Sequence, residues 1–215
     1  MKISSASIAK LTGLYQFPTI NGDKVWSMSF GPTHWCQPLA TMHHVGSEEM
    51  SLFWEFEMQR QLSSNNASQQ GPVLLKDMYT EYFLPRTTDL RDDWNNVSKD
   101  RVYLGREPND DEKNAVPEKE KSDIGKKAHV SVKDCRAACE EMPECFQYLF
   151  AHEGKCSLSK SFKIGYPATR HEDVAKRQTS GWLTERISAW VEEQGECAEA
   201  KWPEIKGKGL FSIVS

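Results

Sequence analysis

Six cysteines dominate the chemistry that residue type and spacing allow in this 215-residue chain. Cys135, Cys139, Cys145 and Cys156 form a C-x3-C-x5-C-x10-C cluster, while Cys36 and Cys197 stand far apart. Four close thiolates could hold a tetrahedral zinc ion, but structural zinc sites favour C-x2-C knuckles, a spacing neither pair here has. Disulfides are the stronger reading. Six cysteines admit fifteen pairings. The arrangement preferred here joins Cys135 to Cys156 and Cys139 to Cys145, leaving Cys36 and Cys197 to clamp the two ends of the chain together. Two sequons, Asn66-Ala67-Ser68 and Asn96-Val97-Ser98, fit the same extracytosolic setting as candidate glycosylation sites.

The remaining chemistry-bearing residues are sparser. His43 and His44 are adjacent, so they lack the i, i+2 or i, i+4 spacing that turns two imidazoles toward one metal. Taken alone they read as ordinary half-buried histidines. Most large aromatics in a chain this size are core, and Trp35, in the loop beside the histidines, is the exception read as a candidate substrate contact. In RDDWNN, the side chains of Asp92, Asp93, Asn95 and Asn96 read as turn and capping groups rather than as an acidic substrate loop.

Short elements must position these groups. Leu39 to His43 reads as a strand, and Ser47 as the N-cap of a helix running to about Leu62, with Glu48 and Glu49 in the first turn, where the helix dipole favours negative charge. Leu74, Met78, Tyr82 and Leu75, Tyr79, Phe83 recur at spacing four, a second helix that Pro85 stops. Residues 107–127, EPNDDEKNAVPEKEKSDIGKK, hold only Val116 and Ile124 as sizeable apolar residues and read as a solvated linker. Ser131 to Glu141 suits a helix with Cys135 and Cys139 on one face, each able to reach a different strand. Phe146, Tyr148 and Phe150 alternate as in a strand, His152 to Lys155 reads as a hairpin turn, and Gly181 to Gln194 reads as a terminal amphipathic helix.

Composition bounds the function. Lys plus Arg total 27 and Asp plus Glu total 31, a formal charge of −4, which argues against generic binding to nucleic acid or anionic membrane. No apolar run approaches the roughly 18 residues of a membrane span. Ser4, Ser5, Ser7, Lys10 and Thr12 break up the first residues before a signal-peptide core forms. A disulfide pattern without an export signal is consistent if the chain is the C-terminal part of something longer.

DCRAACEEMPECFQYLFAHEGKCSLS resembles a PAN or apple-like module. Four segments in order, FGPTHWCQPLATMHHVGSEEM with its helix, LRDDWNNVS, the cysteine module and SGWLTERISAWVEEQGEC, resemble the C-terminal region of fungal glycosyltransferase family 31 proteins, relatives of the Fringe and core-1 β-1,3-galactosyltransferases. The resemblance implies an α+β chain: the C-terminal portion of a GT-A-like, Fringe-like domain (1–106), the charged linker (107–127), a PAN/apple-like module with its terminal helix (128–203) and a tail (204–215). It implies a Golgi membrane enzyme that works on the lumenal side, takes a UDP-galactose donor and a glycan or glycoprotein acceptor, and uses Mn2+. Within TMHHV, His44 (or His43) takes the position of the metal-binding histidine. No apolar strand ends in Asp-x-Asp, so the metal site is incomplete here, the catalytic base is unassigned, and the chain by itself is expected to be inactive. The alternative is a non-catalytic PAN/apple-type module, or an inactive pseudoenzyme, that binds carbohydrate or protein.

Overall fold

The computed structural model describes residues 28–31, 34–39, 42, 45–63 and 71–202. They form an α+β structure stapled by three disulfides, Cys36–Cys197, Cys135–Cys156 and Cys139–Cys145. Its frame is a five-stranded antiparallel sheet in the order β1-β7-β4-β5-β3, built from β1 (Leu90–Asp92), β3 (Arg101–Leu104), β4 (Gln147–Ala151), β5 (Lys155–Ser159) and β7 (Gln178–Trp182). A two-stranded ribbon of β2 (Trp94–Asn95) and β6 (Tyr166–Pro167) lies beside it.

Strand periodicity divides the sheet into two unlike faces. Tyr103, Tyr148, Phe150, Cys156 and Leu158 point to one face, where they pack under the helix Val132–Glu141 with Ala138 and Val116. Ser131 caps this helix, its Oγ accepting the Asp134 N–H at 3.1 Å. Cys135 pins the helix to β5 through Cys156, whereas Cys139 reaches only to Cys145, two residues before β4. At the helix C-terminus Arg186 donates to the carbonyls of Glu140, Cys139, Met142 and Cys145 at 2.7–3.2 Å, a cation placed where the helix dipole is negative. Gly181 lies opposite Tyr148 in the β4–β7 pair. A Cβ there would sit 2.1 Å from the Tyr148 ring, so only glycine lets the ring cross the neighbouring strand.

A second, aromatic core packs at the other side of the sheet. Phe30, Trp35, Tyr79, Phe83, Phe146, Phe162 and Trp182 are all buried in it. Phe30 and Phe162 exchange both backbone hydrogen bonds at 2.9 Å, and their rings stack at 5.6 Å. The helix expected from Leu74 forms as one α-turn (Leu75–Met78), a π-turn (Tyr79–Phe83) and a final 3-10 turn (Leu84–Arg86). Widening to the π form brings Leu75, Met78, Tyr79, Tyr82 and Phe83 together into the core. Pro85 sits inside the last 3-10 turn, where its missing N–H is tolerated, so the helical run ends just beyond it.

In chain order the helices are α1 (Ser47–Ser63), α2 (Leu75–Met78), α3 (Val132–Glu141) and α4 (Thr184–Gln194). Four expectations change. Gly181 and Trp182 end β7 instead of beginning the terminal helix, which starts at Thr184. Of the expected strand Leu39 to His43, the described residues retain a single antiparallel bridge, Pro38 with Leu74; residues 40, 41, 43 and 44 lie outside the described residues. α1 forms as expected, but Phe53 is its only buried residue, and its Trp54 is 67% exposed. Last, the segment 107–127 is not a linker between domains. It folds back along β3, where Val102 N donates to Asn114 O and Val116 N to Val102 O at 2.9 and 2.8 Å, covering a sheet edge that would otherwise be open. Because β1 and β3 from before this segment join β4, β5 and β7 from after it, a division at 107–127 would cut through one sheet.

Candidate functional site

Trp35 belongs to the core. It is 5% exposed, its ring meets Tyr79 and Trp190 at 5.5 and 5.3 Å, and its Nε1 donates to the Gly195 carbonyl at 3.3 Å. A ring enclosed this way has no face left for a sugar, which corrects the substrate-stacking expectation. Its neighbour Cys36 is fastened to Cys197, so the Trp35 turn is locked against the end of α4. His43, His44 and Asn66 lie outside the described residues. Among the described residues no three histidine, cysteine, aspartate or glutamate side chains group to hold a metal ion, and no helix is long and apolar enough to cross a membrane.

The second sequon is also corrected. Asn96 is fully buried. Its Nδ2 donates to the carbonyls of Tyr148 and Gly181 at 3.0 and 3.3 Å, while its Oδ1 accepts from the Ser98 N–H and Oγ at 3.3 and 2.8 Å. Both amide hydrogens point into protein, so the folded chain has no room for a glycan there. The same residue organises the polar face of the sheet: its N–H donates to Ser180 Oγ, and its carbonyl accepts from Gln147 Nε2 at 2.8 Å. Gln147 in turn accepts the Lys163 N–H. This satisfied network is what allows Gln147 and Ser180 to be buried in strands, while the buried Ser159 Oγ donates to Asp100 at 2.9 Å.

Asp92 and Asp93, one of two adjacent aspartate pairs in the described chain, are committed to β7 and its approach. Asp92 accepts from Thr179 Oγ1 at 2.8 Å, and Asp93, at φ +51, is held in a two-point pair by Arg177 at 2.7 and 2.6 Å. The hydrogen bond from Arg177 holds the Asp93 carboxyl below the usual carboxylate range.

Over the polar face of the sheet lies a cleft of about 550 Å³. Its floor is Val102, Leu149, Ala151 and Ser157, contributed by three neighbouring strands. One wall is the turn from Asn95 to Lys99. Asn95 Oδ1 accepts the Val97 N–H at 2.8 Å and its Nδ2 donates to Gln178 Oε1 at 2.9 Å, joining the wall to β7. Val97 is held at φ +61, a left-handed conformation that is uncommon for a β-branched side chain and costs about 1–3 kcal/mol. The surrounding bonds over-determine it. Tyr166 stands at the rim, 36% exposed and paired with Asn95 in the β2–β6 ribbon. The ribbon closes tightly because residue 165 is glycine: at φ +78, an added Cβ would lie 2.0 Å from Asn95 O.

The opposite wall, Asp111 to Asn114, comes from the charged segment. Glu112 anchors it, with a side chain only 7% exposed that takes two hydrogen bonds from Arg106 at 2.8 and 2.9 Å and one from Lys155 at 3.1 Å. Those bonds, led by Arg106 and joined by the Asn109 N–H, hold the Glu112 carboxyl down at about 2 against the opposing cost of its burial. None of the cleft residues was singled out from sequence as a ligand contact. They come from separate short stretches with no shared motif, and only the sheet register brings them to one face. No protein-family model, curated protein sequence or solved structure matches the chain.

Proposed function

We propose that this chain is the C-terminal portion of a glycosyltransferase resembling the Fringe-like, core-1 β-1,3-galactosyltransferases of fungal glycosyltransferase family 31. It acts on the lumenal side of the secretory pathway, with UDP-galactose as donor, a glycan as acceptor and Mn2+ bound in part by His44. The observation that supports this reading is the convergence of the four segments that carry the resemblance. Cys36 of the first is bonded to Cys197 of the last, Trp35 packs on Trp190, and Asn96 of the second bonds both the cysteine module, through Tyr148, and the last segment, through Gly181. Segments scattered along the chain thus behave as one unit. The three disulfides support the oxidising compartment.

In a protein that carries the nucleotide-binding half as well, His44→Ala is expected to lower manganese-dependent galactose transfer by about 10–100-fold without loss of folding. Unchanged transfer at limiting manganese refutes the assignment. A second reading, a stapled binding module without transfer, is favoured by the cleft, which none of the described residues up to 63 lines. Glycan binding without manganese-dependent binding of UDP separates it from the first.

A further inference from the structure

We infer that the cleft over the polar face of the sheet is a binding site for an uncharged sugar, the end of a neutral oligosaccharide. Its volume of about 550 Å³ falls within the range of small-ligand sites, roughly 300–1,000 Å³. The charged residues lining it cancel: Lys99, Lys113 and Lys155 against Asp111, Glu112 and Glu153. Lys155 and Glu112 are moreover paired with each other. A nucleoside diphosphate or a sulfated glycan would meet as many carboxylates as ammonium groups, so the lining carries no net charge to favour an anion or a cation.

What the cleft offers is an apolar floor with a hydroxyl-matching border. Val102, Leu149 and Ala151 present an aliphatic patch suited to the C–H face of a pyranose, with Ser157 among them. Around it stand the amides of Asn95, Asn114 and Gln178. Asn95 bonds Val97 and Gln178, and Asn114 Nδ2 donates to Lys99 O at 2.8 Å, which leaves each amide a second hydrogen or lone pair, and Gln178 its Nε2, for the mixed donors and acceptors that vicinal hydroxyls require. Tyr166 supplies an aromatic ring at the entrance. Both walls are fixed before any ligand arrives, one by the strained Val97 turn and its bonds to Asn95 and Gln178, the other by Glu112. A site built in advance loses little order on binding.

The inference deepens the second reading, the stapled binding module, and rests on it and not on the transferase reading, since the cleft belongs to the stapled sheet; a glycan bound with its shifts elsewhere keeps that reading and overturns only the cleft. The experiment uses the full chain with its disulfides intact. A panel of neutral oligosaccharides ending in galactose, N-acetylgalactosamine, mannose or glucose is screened, and each hit is titrated by calorimetry beside UDP-galactose and a sulfated glycan. At least one neutral sugar is expected to bind, with the two anions weaker by tenfold or more. Tyr166→Ala should weaken the neutral sugar about tenfold, and Tyr166→Phe should restore most of the affinity while both variants keep the wild-type melting temperature. Amide NMR shifts on adding the sugar should fall on Val97, Ser157 and Gln178. The inference is overturned if the folded chain binds no neutral sugar at millimolar concentration, if the anions bind equally well, or if the shifts fall elsewhere. Failure of the transferase reading looks different: the sugar binds at the cleft, yet a protein carrying both halves transfers nothing.

Discussion

Replacing Asn96 by aspartate changes one atom type and no volume, yet it attacks the middle of the buried network. The Asn96 amide nitrogen donates to two carbonyl oxygens, Tyr148 O and Gly181 O. An ionised carboxylate would point an acceptor at both. A protonated carboxyl could place its single hydrogen on only one of them, leaving the other carbonyl without its partner. Each buried polar group left unpaired costs about 1–3 kcal/mol, and an unpaired charge costs more, so Asn96→Asp is expected to lose about 3–5 kcal/mol at pH 7. For a chain of this size that corresponds to roughly 6–20 °C in melting temperature.

The pH dependence carries the sharper test. Burial against carbonyls raises the folded-state pKa of the introduced carboxyl above its unfolded value of about 3.9. The deficit relative to wild type is therefore smallest at and below about pH 4, where about half or more of the unfolded group is protonated. It grows as pH rises toward the folded pKa, at up to about 1.4 kcal/mol per pH unit. Urea unfolding of both proteins at pH 4, 5.5 and 7 measures this directly. A deficit below 1 kcal/mol at pH 7, or one that does not change with pH, would show that the amide is not enclosed as described. A glycan found on Asn96 of the folded protein would do the same.

Two further outcomes are expected. Cys36 and Cys197 are 161 residues apart, and a crosslink spanning that length stabilises by about 5 kcal/mol in the chain-entropy account; Cys36→Ser should remove most of that in a denaturant titration, and a disulfide map with both thiols free in the native protein would cancel the expectation. Glu112 has its carboxyl held down at about 2, so its contribution is complete above the unfolded value of 4.5 and is lost as pH falls from 4.5 toward 2; Glu112→Gln should be less stable than wild type at pH 7 and converge with it on acidification, and parallel stability profiles for the two proteins would refute this.

The parts of the fold that were legible in the sequence are those with local signals. Ser131 as a cap, Cys135 and Cys139 one turn apart, and the alternation of Tyr148 and Phe150 are read within a few residues, and the helix and hairpin they indicate are present; Phe146, just before β4, packs in the aromatic core on the other side. β7 was hidden because its alternate positions, Gln178 and Ser180, are polar, and the bonds that hold them, with Ser180 buried, come from partners more than 80 residues away in Asn95 and Asn96. The segment 107–127 reads as solvated because its charges are many, while what fixes it is Val116 under the sheet, the Val102 backbone bonds and the Glu112 ion pairs. Trp35 shows the reverse error: proximity in sequence to two histidines suggested a ligand role, while its burial follows from Tyr79 and Trp190, both distant in the chain. The cleft was invisible for the same reason, since register alone assembles it.

The bond between Cys36 and Cys197 also decides how the protein answers a pull. The two Cα atoms are 5.7 Å apart, and Lys201 N bonds the Cys36 carbonyl at 2.8 Å just beyond them. Tension applied through chain on either side of this pair travels across the covalent S–S link and bypasses everything between. The sheet, its helices and the cleft hang from the line of force as a side branch that stays folded while the link is oxidised. Reduction would put the whole intervening chain in series with the load, so the same tether would be short and stiff in an oxidising compartment and long and extensible in a reducing one.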